Sequence, residues 1–138
     1  MDQSERESFL AAPHVRVISI NRVHSDTPLA TPVWYNYVPG GDVTVQIERS
    51  SVKYRLLSES GGFTLTVQNE VFPYGYVSVT GDATFDESLN RDEVYALAKR
   101  YLNETDATAY ANDNVDTSHV VSVRMRPSRW FGQDFSKT

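Results

Sequence analysis

The stretch LATPVWYNYVPGGDVTVQIERSSVKYRLL, residues 29–57, decides the fold. Leu29 to Val38 is rich in β-branched and aromatic residues, Pro39-Gly40-Gly41-Asp42 closes that arm as a hairpin turn, and Val43 to Glu48 is the returning strand. Pro28 and Pro32 cannot donate ladder hydrogen bonds. The first arm is therefore expected to be an irregular edge whose backbone faces something other than a neighbouring strand. Ser50 or Ser51 then caps a short helix running through Leu57, which Gly61-Gly62 ends.

Upstream, Ser4 and Glu7 have capping-box spacing and predict a short helix that ends before Pro13. HVRVISI, His14 to Ile20, has a period of two with both sides partly apolar, which predicts a strand covered on both faces. Downstream, Phe63 to Gln68 and Tyr74 to Phe85 alternate as strands. In the second of these Tyr76, Ser78 and Thr80 share one side and Val77, Val79 and Gly81 the other, with Gly81 marking a bulge or close packing. Asn90 with Glu93 opens a helix whose stripe is Val94, Leu97, Ala98, Tyr101 and Leu102. Asn103 to Thr117 reads as loop with at most a helical turn, and His119 to Met125 as a last strand terminated by Pro127. About six strands on hairpin-scale connections, with two or three short helices, predict an α+β, mainly antiparallel, closed or nearly closed barrel. A doubly wound sheet would need helices between successive strands, and they are missing.

The 138 residues, 40% hydrophobic and 22% charged, fit one domain spanning residues 1–138. So small a chain has little room for a deep private pocket, so a large ligand is expected on a surface or between subunits. No apolar run approaches the roughly 18 to 20 residues of a membrane span. The opening MDQSERESFL is charged where a secretory signal would be apolar, and there is no cysteine, so a cytoplasmic location is expected. Thirteen Lys and Arg against eighteen Asp and Glu give a net charge of −5, which opposes nucleic acid and anionic lipid as partners. His14, His24 and His119 have no metal-ligand spacing, so no metal site is expected.

Two segments carry chemistry. Glu48-Arg49-Ser50-Ser51-Val52-Lys53 sets two hydroxyls, helix-start amides and two cations within one turn, which suits a terminal phosphate as well as it suits a plain capped helix. Thr31-Pro32-Val33-Trp34-Tyr35 is a proline-interrupted, aromatic-bearing strand that lays backbone groups against a flat heterocycle or packs as an ordinary edge.

With these residues in view, FLAAPHVRVISI, TPLATPVWYNYVPGGDVTVQIERSSVKYRLL and FTLTVQNEVFPYGYVSVTGDATF in succession resemble the pyridoxamine 5′-phosphate oxidase-like split β-barrel family. Within it the chain is similar to the B group of flavin- and deazaflavin-dependent reductases. The resemblance implies a split β-barrel in which Thr31, Pro32, Val33 and Trp34 lie along the isoalloxazine or deazaflavin ring, and Gln46 and Ile47 lie on the facing strand. It also implies that Arg49, Ser50, Ser51 and Lys53 form the phosphate turn, that Tyr76 reaches the ring from a second subunit, and that Trp130 stands near the shared cleft of a homodimer.

The chain stops soon after Pro127-Ser128-Arg129-Trp130-Phe131, without the basic, aromatic tail of true pyridoxamine phosphate oxidases. The implied activity is instead hydride transfer from the reduced deazaflavin F-420 to an unsaturated small molecule such as an enone or quinone. An FMN-dependent oxidase or reductase, or a non-enzymatic dimer holding a flavin or haem, is the alternative. No catalytic acid or base stands out; solvent or Tyr76 would return the proton.

Overall fold

The computed structural model describes residues 1–137. Six strands form one curled antiparallel sheet: β1 (Val15–Ile20), β2 (Leu29–Pro32), β3 (Val43–Glu48), β4 (Gly62–Gln68), β5 (Gly75–Asp86) and β6 (Val120–Asp134). Their order is β2-β1-β4-β5-β6-β3, so β2 and β3 are the two edges of an open half-barrel, and the fold is an α+β split β-barrel. Four helices, rather than two or three, accompany it: α1 (Gln3–Ala11), α2 (Val52–Ser60), α3 (Arg91–Lys99) and α4 (Glu104–Asp113), with a 3-10 turn at Phe135–Lys137.

Strand alternation fixes the inside. Val43, Val45 and Ile47 of β3, Leu65 and Val67 of β4, Val77 and Val79 of β5, and Val121, Val123 and Met125 of β6 are all buried. Leu10 of α1 and Leu56 and Leu57 of α2 close the core. On the opposite face of the sheet, Thr64 and Thr80 share a hydroxyl hydrogen bond of 2.7 Å, as do Thr66 and Ser78 at 3.0 Å.

The arm Leu29 to Val38 is not one strand of a hairpin with β3. Leu29–Pro32 pairs with β1, while β3 pairs with β6, and a lone bridge between Asn36 and Thr44 joins the two arms. Pro32 sits on an edge strand, where its missing N–H costs little. The α1 cap also differs: Asp2 and Glu5, not Ser4 and Glu7, make the capping box. Glu7 is used elsewhere, accepting from the Tyr37 hydroxyl and the Gly40 amide, each at 2.9 Å.

Asn103 to Thr117 is mostly helix. Asn103 caps α4, whose only buried residues are Ala107 and Ala111. The last strand runs on through Pro127, because a bulge at Thr80/Gly81 pairs Gly81 with Pro127 and Thr80 with Arg129, leaving Ser128 unmatched. Gly81 is needed there, since a Cβ would lie 1.8 Å from the Arg126 carbonyl oxygen.

The C-terminal end of α1 has no basic residue of its own. Arg100 supplies the cation from beyond α3, its Nη1 donating to Ala11 O at 3.1 Å. The buried Tyr35 hydroxyl donates to the Leu10 and Ala12 carbonyls at 2.6 and 2.8 Å, and its burial pushes its pKa up.

Candidate functional site: an open main-chain seam

Asn36 and Thr44 exchange both backbone hydrogen bonds at 2.9 Å. Thr44 therefore turns its main chain away from β6, and so does Gln46 two residues on. Extending that antiparallel register by two residues sets Trp34 opposite Gln46. There the ladder stops: among the described residues no group hydrogen-bonds to the Trp34 N–H or C=O. The split in the barrel is thus a seam with free donors and acceptors on both banks.

The other side of the Trp34 bank is held by distant side chains. Arg16 Nε donates to Val33 O at 3.0 Å, Arg100 Nε donates to Tyr35 O at 2.9 Å, and the Tyr101 hydroxyl accepts from Tyr35 N at 3.1 Å and donates to Tyr35 O at 2.8 Å. Sequence reasoning missed this trio. Tyr101 counted only as part of a helical stripe and Arg16 as one side of an alternating strand.

The side chains at the seam differ in use from the main chain. Trp34 stacks on Tyr101, just past α3, with ring centroids 5.3 Å apart and meets Tyr110 of α4 at a 54° tilt and 5.4 Å, so its indole belongs to the packing of these helices against the barrel. Ile47 is 3% exposed and points into the core. Gln46 Nε2 donates to Glu93 O at 3.1 Å. Gln46 also borders two cavities, one of about 330 Å³ lined by Thr44, Ser122, Arg124 and Leu97, the other of about 170 Å³ lined by Glu48, Tyr110 and Thr117. Thr31 and Pro32 of β2 pair with Ile18 and Val17 of β1.

Downstream of Gln46, β3 runs straight into the turn before α2, about 16 Å of extended chain from Gln46 to Ser51 at most. Ser51 caps α2: its hydroxyl donates to Glu48 O at 2.7 Å and accepts from Tyr54 N at 3.1 Å. Arg49 forms an ion pair with Glu87 and donates from Nε to Ser118 O at 3.1 Å. Glu87 holds the guanidinium pKa up, and Arg49 holds that of the Glu87 carboxyl down. Ser50 is exposed, and Lys53 has no ion-pair partner among the described residues. The structure therefore gathers Arg49, Ser50, Ser51 and Lys53 into one turn, in which Arg49 is ion-paired and Lys53 is not.

Tyr76 and Trp130 stand apart from the seam. Tyr76 stacks on Phe131 at 6.1 Å on the outer face of the sheet, and Trp130 meets Tyr37 edge-on at 6.0 Å. Within one chain their ring contacts are with these residues and Phe135 rather than with Trp34 or Gln46.

No family model matches the chain, and no curated protein matches it. Solved structures do. A conserved hypothetical protein of Mycobacterium tuberculosis superposes with a TM-score of 0.77 at 16% identity, covering 99% of this chain and 87% of that one. An F420 reductase gives 0.74 at 21% identity, covering 91% and 94%. An FAD-binding protein of Mesorhizobium loti gives 0.68 at 13%, covering 96% and 94%. At these identities the likeness is one of fold: the chain has the split β-barrel architecture that these proteins share.

Proposed function

We propose that the chain binds a flavin-type cofactor along the seam and serves as a reductase of unsaturated small molecules, with the deazaflavin F-420 ahead of FMN as the cofactor. The observation that carries this is the seam itself. Main-chain donors and acceptors at Trp34 and Gln46 are left open on the two banks, and the strand that bears Gln46 ends in a turn with an unpaired Lys53. A flat heterocycle with polar edges fits the first feature, and an anionic tail fits the second. An F420 reductase among the similar structures, together with the resemblance to the B group, favours F-420.

Thr31, Pro32, Val33 and Trp34 would lie along the ring, with Trp34 meeting it through its main chain, and Gln46, beside Ile47, would meet it through main chain from the facing strand. Lys53, Ser50 and Ser51 would hold the phosphate, and Arg49 would assist on leaving Glu87. When bound, the reduced ring supplies the hydride, and the protein orients it and excludes water.

A homodimer completes the proposal. The outer face presents Thr64, Thr66, Ser78 and Thr80 beside the Tyr76–Phe131 stack, with Phe131 66% exposed. A second copy seated there would cover that face and bring Tyr76 toward a shared cleft, where the Tyr76 hydroxyl is a candidate proton donor, while Trp130 would stay on the inner side against Tyr37.

The test is the absorption spectrum of the purified protein, then titration with F-420 and FMN and an assay of enone and quinone reduction. F-420 binding with turnover supports the reductase, and a tightly bound yellow flavin makes FMN the cofactor. Binding without turnover of either substrate class leaves a carrier, and no binding of either cofactor refutes the proposal.

A further inference from the structure

Resting on the seam as a ring site, we infer that Tyr101 is a positioning residue that keeps the seam open. The β1–β2 ladder ends at Val17 and Pro32, and strand-like pairing of the arm resumes only at Asn36 with Thr44. Residues 33–35 thus have no strand beside them. In that window the Val33 carbonyl and both polar groups of Tyr35 point one way, and those of Trp34 the other.

The Tyr101 hydroxyl does for Tyr35 what a neighbouring strand would do, taking the N–H at 3.1 Å and giving a proton to the C=O at 2.8 Å. A phenol can do both at once. Its direction is fixed from two sides, by the Arg16 guanidinium 4.0 Å from the centre of the Tyr101 ring and by the indole of Trp34 stacked 17° from parallel. Arg16 and Arg100 complete the row at Val33 O and Tyr35 O.

Held by this row of side chains, the arm does not move across to β3. Without the hydroxyl the arm loses two of the bonds that hold it on the Tyr101 side, and less then opposes extension of the Asn36–Thr44 bridge by one step. Trp34 would then pair with Gln46 and zip the split shut on the groups that would otherwise receive the ring.

Tyr101→Phe keeps the stacking and removes both hydrogen bonds. The expected result is a gain of tenfold or more in hydrogen-exchange protection of the Trp34 and Gln46 amides in the ligand-free protein. The affinity for F-420 or FMN, whichever the wild type binds, should fall at least tenfold, and the absorption bands of any cofactor still bound should shift. Tyr35→Phe is the control, since it removes a buried hydroxyl bonded to α1 and leaves the Tyr101 pair intact; it should lower thermal stability without protecting those amides.

Wild-type protein that binds a cofactor, with exchange and affinity unchanged in Tyr101→Phe, overturns the inference. So does a loss of affinity that Tyr35→Phe reproduces at equal stability. If the wild type binds neither cofactor but the two amides become protected in Tyr101→Phe, the ring site fails while the role of Tyr101 in holding the seam stands.

Discussion

Lys53→Ala and Ser51→Ala together separate a phosphate turn from a plain helix start. Ser51 is committed to the fold through Glu48 O and Tyr54 N, so its removal costs what a helix cap costs, about 1 kcal/mol. With an unfolding entropy of about 2.1 cal/mol/K per residue, the whole chain gains about 0.3 kcal/mol/K on unfolding, and the melting temperature should fall by about 3 °C. Lys53 has no ion-pair partner, so Lys53→Ala should leave the melting temperature within about 1 °C. If its ammonium holds a cofactor phosphate, the same substitution removes a charge-assisted contact of roughly 1.5 to 3 kcal/mol. That is a rise of about tenfold to 150-fold in Kd. Calorimetry reads the first quantity and fluorescence titration with F-420 and FMN reads the second. Unchanged affinity in Lys53→Ala would refute the phosphate role and leave the turn as a cap alone.

Gly81→Ala should be among the most damaging changes. Its Cβ would lie 1.8 Å from Arg126 O and 2.7 Å from the carbonyl carbon, so β5 and β6 must part; a loss above about 3 kcal/mol, or about 10 °C by calorimetry, is expected, and a near-native melt would refute the bulge. Burial, then the Glu7 carboxylate, pushes the Tyr37 hydroxyl up to about 12. The neutral phenol is the form the fold favours, so its contribution is complete below the ordinary tyrosine value near 10 and is lost as pH rises through about 12. Denaturant titrations should show Tyr37→Phe with a shallower alkaline loss than wild type, and parallel curves would count against it. Phe131→Glu should shift light scattering at micromolar concentration from dimer to monomer, because a dimer of standard size, about 800 Å² per partner, would bury that ring. A dimer unmoved by the substitution would place the interface elsewhere.

Where local chemistry and tertiary structure agree, the sequence could be read. Ser51 and Asn90 cap the helices expected of them, Gly61 ends α2 in the left-handed conformation at φ 80°, and β1, β3, β4 and β5 follow their alternation. Pro32 marked an edge, and it lies on one, although β2 pairs in regular register with β1. The misplaced elements share a cause, the satisfaction of main-chain groups by distant residues. Tyr35 and Tyr37 do alternate inward as a strand would, yet the backbone between β2 and Asn36 is held by Arg16, Arg100 and Tyr101, two of them more than sixty positions away. Pro127 looked like a strand end because the bulge that accommodates it, with Ser128 unmatched on its own strand, is met by Gly81, forty-six positions upstream on β5. The helix α4 buries only two alanines and so shows no apolar stripe, although Asn103 was available as its cap. The segments of the proposed site, Thr31 to Trp34, Gln46 and the turn at 49–53, could be singled out from their residues. Trp34's commitment to Tyr101 and Tyr110, and that of Arg49 to Glu87, were not, because each depends on residues brought in from far along the chain.

The place of β3 in the sheet also sets the order of assembly. Leu65 pairs with Val79 fourteen positions away, whereas Ile47 waits for Val121, seventy-four positions on. Closing that larger loop carries the higher entropy cost, and during synthesis it cannot begin until residues near 121 have left the ribosome. Until then Val43, Val45 and Ile47 have no ladder partner, and one bank of the split does not exist as a structure. A nascent chain can therefore complete β1 and β4 long before it can form the split. Pulse-labelled hydrogen exchange during refolding should show the Val45 and Ile47 amides protected after those of Leu65 and Val67; simultaneous protection would mean that the split forms with the rest of the sheet.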